Sequence, residues 1–227
     1  MLRTAIAAFL ILSAALLAGD IEAAQRSCPA PEQAPKIVLK TDRGRIANHN
    51  GHSRAQLTKM QRHQRGSATI NGPGWKPVGL TVTDLKFSLK VQINALPMAP
   101  RQVCAVLVKA DAFLGYDRLD VYVARRYRPG SCHHRAIIDH ENKHVAIFRR
   151  TLDAYGPRVD RRLQREAAAL GTIRAATPKA AANIVHKRLS SRVQPLFDQM
   201  NREMDAANAR LDTPAAYRRE QARCGGW

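Results

Sequence analysis

Between Ile137 and Tyr155 the chain reads IIDHENKHVAIFRRTLDAY. Wound as a helix at about 100° per residue, this stretch splits into two faces. Ile137, Ile138, His140, Glu141, His144, Val145, Ile147, Phe148, Leu152 and Tyr155 share one side. Asp139, Asn142, Lys143, Ala146, Arg149 and Arg150 take the other. A fold that buries this apolar stripe must therefore bury two imidazoles and a carboxylate with it. An unpaired ionisable group in a packed interior is costly. One metal ion relieves all three. His140 and His144, one turn apart, supply nitrogen ligands, and Glu141 beside them handles the proton of an attacking water. The string His140-Glu141-Asn142-Lys143-His144 has the H-E-x-x-H spacing of zinc-dependent hydrolases, so Zn2+ is the expected cofactor.

A hydrolytic zinc needs a third protein ligand and one open position. Asp153 falls on the opposite face of the same helix and is excluded. Arg150 stands where the longer H-E-x-x-H-x-x-G-x-x-H pattern has its third histidine, which excludes that class. Asp205 flanks the apolar face of a later helix, with Asn201 and Asn208 close by, and is the expected third ligand. Glu166, beside the Val159-Leu163-Ala167-Leu170 stripe of the next helix, is its alternative, and Asp160 lies near the same stripe. His133 or His134 can fold back from the loop before the helix, as ligand or as oxyanion donor. Tyr155 shares the inward face but lies about 16 Å along the helix from His144, too far to take part.

The chain has 227 residues. Arg3 followed by the uncharged apolar run Ala5 to Ala18, with small residues at Gly19, Ala23 and Ala24, reads as a secretory signal peptide over residues 1–24. No later apolar run is long enough to span a bilayer, so no transmembrane segment is expected once the signal is cleaved. Four cysteines in an exported chain suggest two disulfides. Cys104 with Cys132, and Cys28 with Cys224, are the favoured pairs, and no C-x-x-C is present to hold a metal. A net charge of +19, from 37 Lys and Arg against 18 Asp and Glu, favours anionic surroundings such as an envelope polymer. No nucleic-acid recognition motif accompanies it, and aromatic residues for base stacking are few.

Lys36 to Lys40 reads as a short strand, and Thr41 to Ser67 as a basic loop with at most one short helix and solvated His52 and His63. Asn71-Gly72-Pro73-Gly74 is a turn. Leu80 to Ile93 alternates as a strand with a bulge near Asp84, ended by Pro97 and Pro100. Gln102 to Lys109 and Leu119 to Tyr127 follow as two further strands, with Gly115-Tyr116-Asp117 turning between them. Beyond Cys132 the pattern is helical: Ile137 to Tyr155, Pro157 to Leu170 after a break at Gly156-Pro157, and about Ala180 to Arg210 with a kink at Pro195. Asp212-Thr213-Pro214 caps a final short helix. The expected fold is α+β, a small antiparallel sheet followed by a helical half that carries the H-E-x-x-H helix. Residues 25–78 are a leader with a basic loop, and 79–227 form the α+β domain.

The stretch VYVARRYRPGSCHHRAIIDHENKHVAIFRRTLDAY resembles a family of exported bacterial proteins described as predicted secreted zinc-dependent proteases. The C-terminal segment MDAANARLDTPAAYRREQARC resembles the matching part of the same family. The resemblance implies that His140, Glu141 and His144 are the motif residues and that the segment around Asp205 lies near them. Members of that family carry a histidine a few residues after this aspartate, where the present chain has Arg210. The expected activity is zinc-dependent hydrolysis of an amide bond, with Glu141 as the proton carrier, on a peptide or cell-envelope substrate outside the cell or in the periplasm. The alternative is a non-catalytic envelope-binding protein with a basic surface and a structural or vestigial metal site.

Overall fold

Along Gln102–Val123, Val103, Ala105 and Leu107 are buried; the phase then shifts so that Ala110, Ala112, Leu114 and Tyr116 are buried instead. Alternation of this kind suits a sheet with one packed face. This strand, β3, is the centre of the sheet. β1 (Lys36–His49) runs parallel to it on one side, β2 (Gly79–Ala99) antiparallel on the other, and the short β4 (Ile173–Ala175) pairs antiparallel with its beginning. The structure, a computed structural model, describes residues 28–62 and 76–225. Within them lie four helices, α1 (Arg54–Arg62), α2 (Cys132–Ala168), α3 (Pro178–Leu211) and α4 (Pro214–Ala222). The architecture is α+β with a small mixed sheet. The expected signal peptide, His63 and the Asn71–Gly74 turn lie outside the described residues.

The sheet is mixed rather than an antiparallel meander. The two strands expected from Gln102 to Tyr127 are one, and Gly115 lies inside it instead of at a turn. A Cβ at Gly115 would collide with the Asp42 backbone of β1, its nitrogen 2.7 Å away. The glycine thus serves a close approach of two strands, a role that from sequence looks the same as a turn. The bulge expected near Asp84 is present as a register shift between Thr83 and Leu85. β2 ends at Ala99, where Pro100 and Arg101 reverse the chain into β3, Arg101 taking a left-handed φ of 60°. The segment expected as a leader is part of the domain. It supplies β1, and α1 packs Leu57 with Leu80, Val123, Tyr127 and Ile137. His52, expected in solvent, packs edge-on against Tyr122 at 5.0 Å.

α2 runs unbroken through Gly156-Pro157. Proline inside a helix costs about 3 kcal/mol or more. The buried stripe Leu152, Tyr155, Val159, Leu163 and Ala167 continues across it at helical spacing, and packing of that stripe outweighs the local cost. α3 likewise carries Pro195 in its interior, with Leu189, Val193, Phe197, Met200 and Met204 buried along it. These residues and the inward side chains of β2 and β3 form the main core, where Phe197 meets Phe87 at 4.6 Å.

The disulfides are Cys28–Cys104 and Cys132–Cys224, not the favoured pairs. Because β1 is parallel to β3, the chain entering β1 starts beside the beginning of β3, which brings Cys28 to Cys104. Cys132 opens α2, and the chain leaving α4 returns to it.

Candidate metal centre

α2 starts at an N-cap, Ser131, whose hydroxyl accepts from His134 N–H at 3.2 Å. Two turns on, His140, Glu141 and His144 are buried, with relative exposures of 3%, 4% and 8%. The inward orientation read from the periodicity is the one found. Facing them is the end of α3. Asn208 lies in its last turn, and Asp212 is its C-cap, with its N–H donating to Asn208 O at 3.0 Å. Thr213 at once caps α4, accepting from Ala216 N–H at 3.1 Å, and Pro214 follows at the first position of that helix. Two helix termini back to back leave Asp212 little freedom.

Asp212 Oδ1 is 3.0 Å from His140 Nε2 and 3.1 Å from His144 Nε2, and the two Nε2 atoms are 3.1 Å apart. The opposite ring nitrogens are spoken for. His144 Nδ1 faces Asn208 Oδ1 at 2.9 Å. His140 Nδ1 has Glu220 Oε2 at 2.9 Å, at ion-pair range though outside hydrogen-bond alignment. Acceptors at both Nδ1 positions favour the tautomer protonated there, which leaves an Nε2 lone pair on each ring. The two Nε2 atoms and the carboxylate oxygen then converge on one point, where a metal ion or, in its absence, a shared proton can sit. Zinc bonds to nitrogen and oxygen are about 2.0–2.2 Å, and tetrahedral ligands at such lengths stand about 3.3 Å apart. The donor set therefore fits a metal: His140, His144 and Asp212 each offer a ligand atom within 4.8 Å of the others.

Around this triad the outer contacts are polar. Tyr217 of α4 donates its hydroxyl to Asp212 Oδ1 at 2.9 Å, and its ring lies 5.0 Å from that of His140. Lys143 Nζ holds the other oxygen of Glu220 at 2.8 Å. Glu141 accepts from Thr81 Oγ1 of β2 at 2.7 Å. Its other oxygen lies where a side chain at Gly79 would begin, and a Cβ there would also stand 2.6 Å from Ile137 Cγ2. Gly79→Ala is thus expected to destabilise the protein by about 1–3 kcal/mol, because two buried side chains must shift to make room, and to displace the Glu141 carboxylate. Denaturant unfolding measures the first effect. A stability equal to wild type would show that the space is not as tight as described.

Burial pushes the Glu141 carboxyl above its ordinary value, while the neighbouring imidazoles and Thr81 pull it partly back. Burial alone would lower His144, but hydrogen bonding to Asp212 and the charge of Glu141 outweigh it and bring it to about 9. Asp212, despite burial, is held well below the usual carboxylate range by its hydrogen bonds to both imidazoles. In the metal-free protein, a histidine raised from 6.5 contributes stability that is complete below 6.5 and lost as pH rises towards 9. Melting temperature in the presence of chelator is therefore expected to fall across that window, and zinc affinity to rise across it, since binding displaces the same proton. A chelated protein whose melting point is flat over this range would contradict the His144–Asp212 coupling.

Neither expected third ligand reaches the histidines. Asp205 is exposed on α3. Glu166 is taken by Arg162, Arg165 and Arg192, at 3.9, 3.6 and 3.5 Å. Asp160 accepts from Gln164, and His134 contacts Asn50 Oδ1 at 3.0 Å while His133 lies over Tyr127. Asp153 pairs with Arg43 at the surface, and Tyr155 is in the main core. Sequence reasoning placed Asp212 only as a cap and overlooked Thr81, Gly79, Tyr217 and Glu220. The usable signal was the spacing Asn208 to Asp212, one turn apart like His140 and His144. Comparison of the chain with family models, with curated proteins and with solved structures returns no match.

Proposed function

We propose that this chain is an exported zinc-dependent hydrolase of amide bonds, a metallopeptidase acting in the periplasm or outside the cell. The observation that carries the reading is the convergence of His140 Nε2, His144 Nε2 and Asp212 Oδ1 beside a buried Glu141. His140, His144 and Asp212 would hold zinc, which when bound supplies Lewis-acid polarisation and a water acidified towards neutral pKa. Glu141, whose carboxylate accepts from Thr81, would take the proton of the attacking water and pass it to the leaving amine. Tyr217, whose hydroxyl donates to the ligand oxygen, would hold Asp212 in place for the metal.

Export is supported by the sequence pattern of residues 1–24 and by two disulfides, which suit an oxidising compartment. No helix among the described residues is long and apolar enough to cross a membrane. The resemblance to predicted secreted zinc-dependent proteases points the same way. The substrate would be a peptide or an envelope component, and the cationic surplus favours an anionic polymer nearby. The second reading, a non-catalytic envelope-binding protein with a structural metal, is favoured by one observation. Both ligand imidazoles are nearly closed off, with side-chain exposures of 3% and 10%.

Metal analysis of the purified mature protein, with a peptide and cell-wall library beside it, tests the proposal. One zinc per chain and chelator-sensitive cleavage are expected. A protein without stoichiometric zinc ends the metal reading; zinc without cleavage leaves the second reading standing.

A further inference from the structure

α4 brings Tyr217 to Asp212 and Glu220 to His140, yet little apolar packing holds it there. Its buried residues are Ala216 and Glu220. At 9 residues it is shorter than the roughly 12–15 that an isolated helix needs. Of its ion pairs to α2, Arg223 with Asp139 is exposed on both sides and Lys143 with Glu220 on one, and such pairs are weak in water, while Glu220 with His140 is shielded. The covalent tie is Cys132–Cys224, which joins the first residue of α2 to the chain just past the end of α4. With that bridge open, α4 is joined covalently only through Asp212 and Thr213, and what holds it to the site is Tyr217 on Asp212 and Glu220 on His140 and Lys143.

Resting on the zinc-site reading above, we propose that the Cys132–Cys224 disulfide governs the metal centre. The site is complete in the oxidised protein, and reduction of this bridge releases α4 and weakens zinc binding. In the reduction the S–S bond breaks and two thiols form. A dithiol reductant supplies the two electrons and two protons and becomes the disulfide. Access favours this bridge, because Cys132 is exposed while Cys104 of the other bridge is 4% exposed. Asp212 stays on α3 through its own N–H bond to Asn208, so the ligand set survives. What leaves is the outer layer, whose loss typically costs about 10–100-fold in metal affinity.

Zinc titrations of oxidised wild type, of Cys132→Ser/Cys224→Ser and of Cys28→Ser/Cys104→Ser test the proposal. The first double variant is expected to bind roughly 10–100-fold more weakly than wild type, and the second to match it. Equal affinity of the first variant and wild type, or equal weakening of both variants, overturns the proposal. A wild type that takes up no zinc overturns the zinc-site reading itself, and is recognised from the wild-type titration alone. If the first variant does not fold, folded wild type can be treated with graded dithiothreitol, alkylated, freed of reductant and then titrated. Affinity should fall in step with alkylation of Cys132 and Cys224. Unchanged affinity with both alkylated overturns the proposal.

Discussion

Asp212→Ala is expected to lower zinc affinity by more than the roughly 100-fold upper range seen when an outer-layer partner is lost, because a ligand atom itself is removed. Asp205→Ala and Glu166→Ala are expected to leave it unchanged. Asp212 Oδ1 is within 3.1 Å of both Nε2 atoms, whereas Asp205 is exposed and Glu166 is held among three arginines. The substitution also leaves two buried imidazoles facing each other at 3.1 Å with no carboxylate between them. Metal-free Asp212→Ala should accordingly shed the imidazole protons and lose the fall in stability between pH 6.5 and 9 described for wild type. Isothermal titration with zinc, run beside chelated melting curves, measures both. Zinc binding that survives Asp212→Ala but fails in Asp205→Ala would restore the ligand set expected from sequence.

Glu141→Gln is expected to keep zinc and to lose roughly 10²–10⁴-fold in cleavage rate, the range that general acid–base catalysis supplies. The amide has the shape of the carboxylate and can still accept from Thr81. It cannot take a proton. Because burial already raises the Glu141 carboxyl, removing the charge should not destabilise the fold. Zinc content, melting temperature and turnover of one cleaved peptide, compared between the two proteins, separate these effects. Cleavage at the wild-type rate would remove Glu141 from the chemistry and favour the structural-metal reading.

Among the elements, those with a continuous apolar period are legible along the chain. Leu80 to Ile93 reads as a bulged strand and forms one, and the inward face of the His140 helix is set by a repeat contained in the residues themselves. Breaks are harder to read. Gly156-Pro157 and Gly115 both look like interruptions, yet both lie inside elements, because the surrounding packing outweighs a local preference. β1 shows the same limit. Its pairing with β3 buries little side chain of its own, so the polar stretch after Lys40 carries no period that marks a strand.

His140, Glu141 and His144 stand out in the chain alone because helix geometry relates residues four apart, and that relation is written locally. Asp212 does not, although it lies only one residue from a cap that the sequence does reveal. Its position depends on how α3 crosses α2, on the immediate start of α4 and on which cysteines join. The helix crossing and the cysteine pairing bring together residues roughly 70 to 90 apart in the chain. The sequence by itself determined that two imidazoles and a carboxylate would be buried on one helix face. The tertiary structure decided which oxygen completes them, because that oxygen is delivered by the packing of separate helices, and a one-dimensional pattern carries no information on their mutual placement.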